Sequence, residues 1–279
     1  MKNKSNFVFL NNDFIDSNTA SINIDNRGFL FGDGLFETCR FHKQRIINFD
    51  LHWNRLKNGA NYLKISLPSK NTLQKLAEKL IIKNDIQDGL VKIHISRNCK
   101  SQGYLPLDIT KNDILIQTKD FPQRPQIDKL IICDYNPPIY SFKTLNSIPY
   151  ILAKLFADEN NATDSIMLDP EQNICETSSA NIFFIKDKKI FTPNLDSSVI
   201  NGTIRQSILA IKELNIIEGK YQISQLENAD EVFITNSNLL IFPISSIAFR
   251  NKKNFYIINY KKTLVKKIEK LLKIRLKIL

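Results

Sequence analysis

Glycine is scarce in this chain, with eight in 279 residues, and histidine is scarcer, with three. His42, His52 and His94 stand at no metal-motif spacing. The four cysteines, Cys39, Cys99, Cys133 and Cys175, are neither clustered as metal ligands nor numerous enough for a disulfide framework. No metal is therefore expected. The glycines make no phosphate loop with a following lysine and no G-x-G-x-x-G after a strand; Gly32-Asp33-Gly34 stands alone. Nucleotide binding thus has no support. Long apolar runs are missing too, since none approaches the ~18 residues of a membrane span. The first residues, Met1-Lys2-Asn3-Lys4-Ser5-Asn6, hold no apolar signal core. The expectation is a cytoplasmic protein with no membrane partner.

Acidic residues are outnumbered: 39 Lys and Arg against 28 Asp and Glu leave a formal charge of +11. That raises nucleic-acid binding as a rival from a different class, resting on charge alone. Lysine supplies most of the excess along the whole length, so it reads as compositional and no nucleic-acid partner is expected. The densest cluster, Lys261 to Lys273, has apolar residues at three- and four-residue spacing. It reads as an amphipathic helix packed on the body, with a membrane surface or RNA as the alternative partner.

What is present is a mixture of short strands and helices. Phe7–Leu10 and Phe14-Ile15 flank an Asn-Asn-Asp turn and predict a hairpin. Ser21–Asp25 alternates and predicts a strand. The next stretch, Asn26 to Thr38, holds three of the eight glycines within seven residues, so its backbone must turn tightly or approach another group closely. Asp50 is the expected N-cap of a helix carrying Arg55, and Ser69 to Lys83 predicts a second helix. Phe121-Pro122-Gln123-Arg124-Pro125-Gln126 reads as a linker. The expected plan is an N-terminal α/β domain over 1–120, a linker over 121–127 and a C-terminal domain over 128–279.

The second half carries the candidate chemistry. Lys143 sits in the uncharged run Ser141-Phe142-Lys143-Thr144-Leu145-Asn146, before an apolar helix from Ile148 to about Asn160. Glu176 follows 33 residues later, at the end of a strand-like run. A shielded lysine amine can bind an aldehyde covalently, and a carboxylate can keep a pyridine nitrogen protonated. Together they fit pyridoxal phosphate (PLP). A lone Lys–Glu pair is more commonly a surface lysine and a loop glutamate. A phosphate site is also available where Gly202-Thr203-Ile204 opens a helix, expected to run to about Asn215. Ser237 at a strand end could add a hydroxyl and Arg55 a guanidinium.

Taken in order, these blocks resemble the class IV aminotransferase family of fold-type IV PLP enzymes. The blocks are Arg27-Gly28 through Thr38, Asp50-x-His52-x-x-Arg55-Leu56, Lys143-Thr144-Leu145-Asn146, Glu176-x-x-x-x-Asn181, Gly202-x-x-Arg205 and Ala229-Asp230-Glu231-Val232-Phe233. The resemblance spans roughly 7 to 245. It implies an α/β fold of two domains, PLP in the cleft between them, and a homodimer. It implies Lys143 as the lysine that binds the cofactor and Glu176 as the acid at the pyridine nitrogen. Asn181 joins the cofactor set, and Arg55, Thr203, Ile204 and Ser237 match phosphate-binding positions. The C-terminal domain would be the PLP-binding one.

Within the family, Thr38 and the run Thr235-Asn236-Ser237 resemble aminodeoxychorismate lyases. The expected reaction is cleavage of 4-amino-4-deoxychorismate to 4-aminobenzoate and pyruvate, a step towards folate. Thr38 would be catalytic, with Phe36, Arg97 and Asn236 at the substrate. The alternative is a branched-chain or D-amino-acid aminotransferase. One departure stands out: Gln102 occupies the place of a second arginine in the lyase pattern, which removes a candidate for binding substrate carboxylates.

Overall fold

A computed structural model describes residues 6–98, 101–109, 112–251 and 254–278. Cys99 lies outside the described residues. The chain divides into two compact units. Unit 1 comprises Met1–Pro122 with Phe142–Ser147, and unit 2 comprises Gln123–Ser141 with Ile148–Leu279.

Unit 1 contains β1 (Phe7–Leu10), β2 (Asp13–Asp16), α1 (Arg27–Phe31), β3 (Gly34–His42), β4 (Arg45–Ile46), α2 (Phe49–Leu63), α3 (Lys70–Lys83), β5 (Gly89–Arg97), the ribbon β6 (Ser101–Gln102) and β7 (Leu105–Pro106), and β8 (Asn112–Lys119). Its six-stranded sheet runs β2-β1-β8-β5-β3-β4 with antiparallel neighbours throughout. Period-two alternation divides β3 between the two faces. Leu35, Glu37, Cys39 and Phe41 are buried, while Phe36, Thr38 and Arg40 are half-buried. The inner face packs with Leu56 of α2 and Leu73, Ala77, Leu80 and Ile81 of α3 into one apolar cluster.

Local chemistry explains where this unit departs from expectation. Ser21–Asp25 forms no strand. The Asn23 side chain accepts from the Asp25 N–H at 2.8 Å, a turn that competes with strand pairing. The glycine-rich stretch holds the short helix α1, opened by the Asn26 side chain accepting from Phe29 N–H and closed by Gly32 at φ 68°. Asp50 lies in the first turn of α2, and the cap is Asn48 in the left-handed region. Ser69 caps α3 by accepting from Thr72 N–H.

Unit 2 contains β9 (Lys129–Ile132), α4 (Ile148–Glu159), β10 (Asp164–Leu168), β11 (Ile174–Thr177), β12 (Asn181–Lys186), β13 (Lys189–Pro193), α5 (Thr203–Leu209), β14 (Ile216–Gly219), α6 (Ile223–Glu227), β15 (Glu231–Asn236), β16 (Leu240–Ile244), β17 (Ser246–Asn251), β18 (Asn254–Asn259) and α7 (Thr263–Leu276). They form two five-stranded sheets, β11-β10-β9-β17-β18 and β14-β13-β12-β15-β16. Ile166, Ile182, Phe184, Ile234, Phe242, Ile247 and Phe249 belong to one cluster drawn from both sheets. The continuous burial of β10 and β12 follows, because each is covered on both sides.

The basic C-terminal helix α7 packs on β15, β16 and α5 through buried Val265, Ile268, Leu272 and Leu276. The Glu231 carboxylate accepts from the N–H groups of Leu264 at 2.8 Å and Val265 at 3.0 Å, an anionic cap on the positive end of α7. Helix α5 stops at Leu209, short of the expected Asn215. The chain turns there to bring Ile216–Gly219 beside β13.

Two boundaries follow from specific bonds. The proline-rich linker is fastened to unit 2 by Arg124, which donates to Ile241 O at 2.9 Å and lies 5.5 Å from the Phe242 ring centre. The Lys143 segment does not stay with residues 128–279. Phe36 N–H donates to Lys143 O at 3.1 Å and Leu145 N–H to Gly34 O at 3.0 Å, which joins Phe142–Ser147 to the edge of unit 1. No helix among the described residues is long and apolar enough to cross a membrane.

Candidate active site

Each unit holds its own cluster of site residues. In unit 1, alternation along β3 places Glu37 against α2, where His52 and Arg55 share a face at i, i+3 spacing. Arg55 donates from Nε to Glu37 Oε1 at 2.8 Å and from a terminal nitrogen to Oε2 at 2.7 Å. His52 Nδ1 lies 2.6 Å from Oε2. Burial pushes the Glu37 carboxyl up, but the Arg55 charge and the bonds from Arg55 and His52 outweigh it and hold it near 2. Burial lowers His52 against the opposing pull of Glu37, so the ring is neutral and donates. Atoms of Glu37, Cys39 and His52 lie within 4.8 Å of one another, a metal-like spacing. The cluster is better suited to the guanidinium it already holds, because burial and the Glu37 charge keep the Cys39 thiol protonated.

The other face of β3 carries Phe36 and Thr38. The Lys143 Nζ lies 4.9 Å from the Phe36 ring centre. Register pairs Phe36 with His94 and Thr38 with Lys92, so all four side chains project from one sheet face. Lys92 and His94 reach that face through the alternation along β5.

Arg97, expected at the substrate, is engaged within unit 1. Its side chain is buried, with Nε donating to Asp33 Oδ2 at 2.9 Å and the terminal nitrogens to Lys64 O at 3.1 Å and Leu63 O at 2.6 Å. Arg27 Nε meets the same Asp33 oxygen at 2.8 Å. Asp33, presented by the glycine-rich turn, therefore ties two buried arginines together. Gln102 is exposed in the β6–β7 ribbon.

In unit 2, Glu176 lies one residue before the end of the buried strand β11 and is 3% exposed. Tyr150 Oη donates to Oε1 at 2.9 Å; Asn181 Nδ2 at 3.3 Å and Ile200 N–H at 3.1 Å donate to Oε2. Burial, then the charge and bond of Glu176, push the Tyr150 hydroxyl far above its usual range, so it stays a donor. Tyr150 was missed in the sequence, although it shares a helix face with buried Ala153 and Ala157 at i, i+3 and i+7. Asn181 also donates to Ile200 O at 2.8 Å.

Close by, Gly202 precedes α5. A β-carbon there would stand 1.9 Å from Asn181 Oδ1, so any larger residue would have to displace the Asn181 side chain. Helix α5 begins with Thr203 and Ile204, both buried, and no side chain caps it. Thr203 Oγ1 lies 3.3 Å from Ser237 Oγ. Two hydroxyls beside a helix start, where backbone N–H groups lack intrahelical partners, make a donor set of the kind that binds a phosphate. Asn236, expected at the substrate, is bonded locally. Its Oδ1 accepts from the N–H groups of Asn238 and Leu239 at 3.0 and 2.7 Å, and its Nδ2 donates to Ser179 O at 3.1 Å. Its amide closes a turn.

The sequence profile described as amino-transferase class IV matches residues 34–247, more than three-quarters of the chain. The chain belongs to the class IV aminotransferase family. A D-alanine aminotransferase of Listeria monocytogenes serotype 4b (strain F2365) is 30% identical over 259 residues, covering 86% of this chain and 87% of the relative. An aminodeoxychorismate lyase of Vibrio harveyi is 30% identical over 247 residues, covering 84% and 90%. A putative 4-amino-4-deoxychorismate lyase of Legionella pneumophila superposes with a TM-score of 0.84 at 25% identity, over 93% of this chain and 97% of that one. The branched-chain aminotransferase of Thermoproteus uzoniensis superposes at 0.88 with 20% identity over 98% and 96%, a likeness of fold. These relationships place the chain among fold-type IV PLP-dependent enzymes and favour no single family member.

Proposed function

We propose that the chain binds PLP and transfers an amino group between a small amino acid and a keto acid. The observation that carries this reading is Glu176, a buried carboxylate aimed by three donors, which suits a protonated pyridine nitrogen. The cofactor, when bound, withdraws electrons from the carbon bearing the substrate nitrogen. Lys143 would hold its aldehyde carbon and then move the proton at the substrate α-carbon. Thr203, Ile204, Ser237 and Arg55 would hold its phosphate, and Asn181 would keep Glu176 in place. Lys92, opposite Thr38, offers a cation for a substrate carboxylate where Arg97 is committed elsewhere and Gln102 is neutral. Phe36 would form an apolar wall beside Lys143.

A lyase acting on 4-amino-4-deoxychorismate is the second reading, favoured by the half-buried Thr38 hydroxyl beside Lys92. The Asn236 amide, on which that reading also leaned, is bound within its own turn. A cytoplasmic homodimer accompanies both. The dimer has support in α4, where Ile148, Ile151, Leu152 and Leu155 are exposed at i, i+3, i+4 and i+7. The test is an assay of D-alanine with a keto acid beside aminodeoxychorismate. Conversion of the cofactor to its amine form, reversed by keto acid, supports amino transfer. Accumulation of 4-aminobenzoate with the cofactor unchanged would replace that reading by the lyase.

A further inference from the structure

Asp164 is the first residue of β10, is fully buried, and has no ion-pair partner among the described residues. Five donors converge on its carboxylate. Oδ1 accepts from the N–H groups of Ser165 at 2.8 Å and Ser178 at 3.1 Å, and from the Ser178 hydroxyl. Oδ2 accepts from the Thr177 hydroxyl at 2.9 Å and the Ser179 hydroxyl at 2.6 Å. A buried charge without a counter-ion persists where hydrogen bonds replace its hydration so fully. Four of the five donors belong to the three residues Thr177–Ser179.

Those residues join Glu176 to Asn181. Ala180 N–H donates to Thr177 Oγ1 at 3.0 Å and Thr177 N–H to Ala180 O at 2.8 Å, closing the turn. Its two ends are the carboxylate and the amide that meet each other and Ile200. Ser179 O, inside the turn, accepts from Asn236. A turn of Thr-Ser-Ser-Ala has no intrinsic rigidity, because serine and threonine hydroxyls offer many competing local bonds. One carboxylate that engages all three hydroxyls removes that freedom.

We infer that Asp164 is a positioning residue that sets the Glu176 carboxylate through the 177–179 turn. The inference rests on the PLP reading for its consequence in function, but the positioning itself is independent of cofactor. An amide at position 164 keeps the shape and loses one acceptor oxygen and the charge. Asp164→Asn should therefore loosen the turn without dissolving the sheet.

The experiment compares wild type, Asp164→Asn, Ser179→Ala, Glu176→Gln and the double variant Asp164→Asn/Glu176→Gln. Amide exchange at Ile200, whose N–H donates to Glu176, is followed without cofactor. The pH-dependent absorption of the loaded protein is followed beside melting. Positioning requires faster Ile200 exchange, by about tenfold, in Asp164→Asn and less in Ser179→Ala. It also requires a spectral midpoint moved in the direction seen for Glu176→Gln, with no further movement in the double variant. Unchanged Ile200 exchange, or spectral shifts that add in the double variant, would overturn the inference and leave Asp164 a structural residue. If Asp164→Asn is too unstable to study, Ser179→Ala carries the same two readouts. A protein that shows the Ile200 effect and takes up no PLP would overturn the cofactor reading and uphold the positioning.

Discussion

Glu37 and Arg55 form a two-pronged ion pair, at 2.8 and 2.7 Å, in which both side chains are almost wholly removed from water. The pair fixes the orientation of the guanidinium, and His52 completes the carboxylate's bonding. Its cost is electrostatic: breaking one side of such a pair leaves an uncompensated buried charge.

Glu37→Ala should therefore lower stability by about 3–5 kcal/mol, measured by urea unfolding, whether or not cofactor is bound. The pH dependence has a defined sign. The folded pKa near 2 lies below the ordinary 4.5 of a glutamate carboxyl, so the stabilisation is complete above about 4.5 and is lost as pH falls towards 2. Melting temperature should drop through that window in wild type and drop less in a Glu37→Gln protein.

Borohydride treatment of the yellow protein, followed by peptide mapping, should place a pyridoxyl group on Lys143. Label on Lys92, which projects from the same sheet face as Phe36, would reassign the chemistry.

Tyr150→Phe deletes one donor to a buried carboxylate and nothing else. The expected loss is about 1.5–3 kcal/mol of stability, with weaker retention of cofactor. Equal denaturation curves for the two proteins would mean that Glu176 does not depend on this hydroxyl.

Gly202→Ala should cost about 1–3 kcal/mol and reduce PLP affinity, since the new methyl group must displace the Asn181 side chain. Equilibrium dialysis against PLP is the check, and Gly202→Ser should behave no better.

Ile151→Lys with Leu155→Lys on the exposed stripe of α4 should yield monomers in sedimentation velocity while each chain keeps its helical content. A dimer that survives both substitutions would remove α4 from the contact.

Much of this was legible in the residues. The order of the blocks from Arg27 to Phe233 carried the family, while the glycine-rich stretch before Thr38 hid the strand β3 that separates Glu37 from Phe36 and Thr38. Helix α3 announced itself through Ser69 and its leucine spacing, because capping and periodicity are local. Other assignments depended on partners far along the chain. Arg97 and Asn236 have the right residue types for binding a substrate, yet tertiary bonds to Asp33 and Ser179 claim their polar groups. Lys143 joins unit 1 because its backbone pairs with β3, over a hundred residues earlier, which no local pattern encodes. Tyr150 and Asp164 read as an unremarkable helix aromatic and a strand-end acid until packing aims one at Glu176 and surrounds the other with serine hydroxyls. Sequence determined which groups were available and which strand face each would take; only the folded chain decided which polar groups were already bound to one another, because long-range hydrogen bonds are fixed by packing and not by spacing.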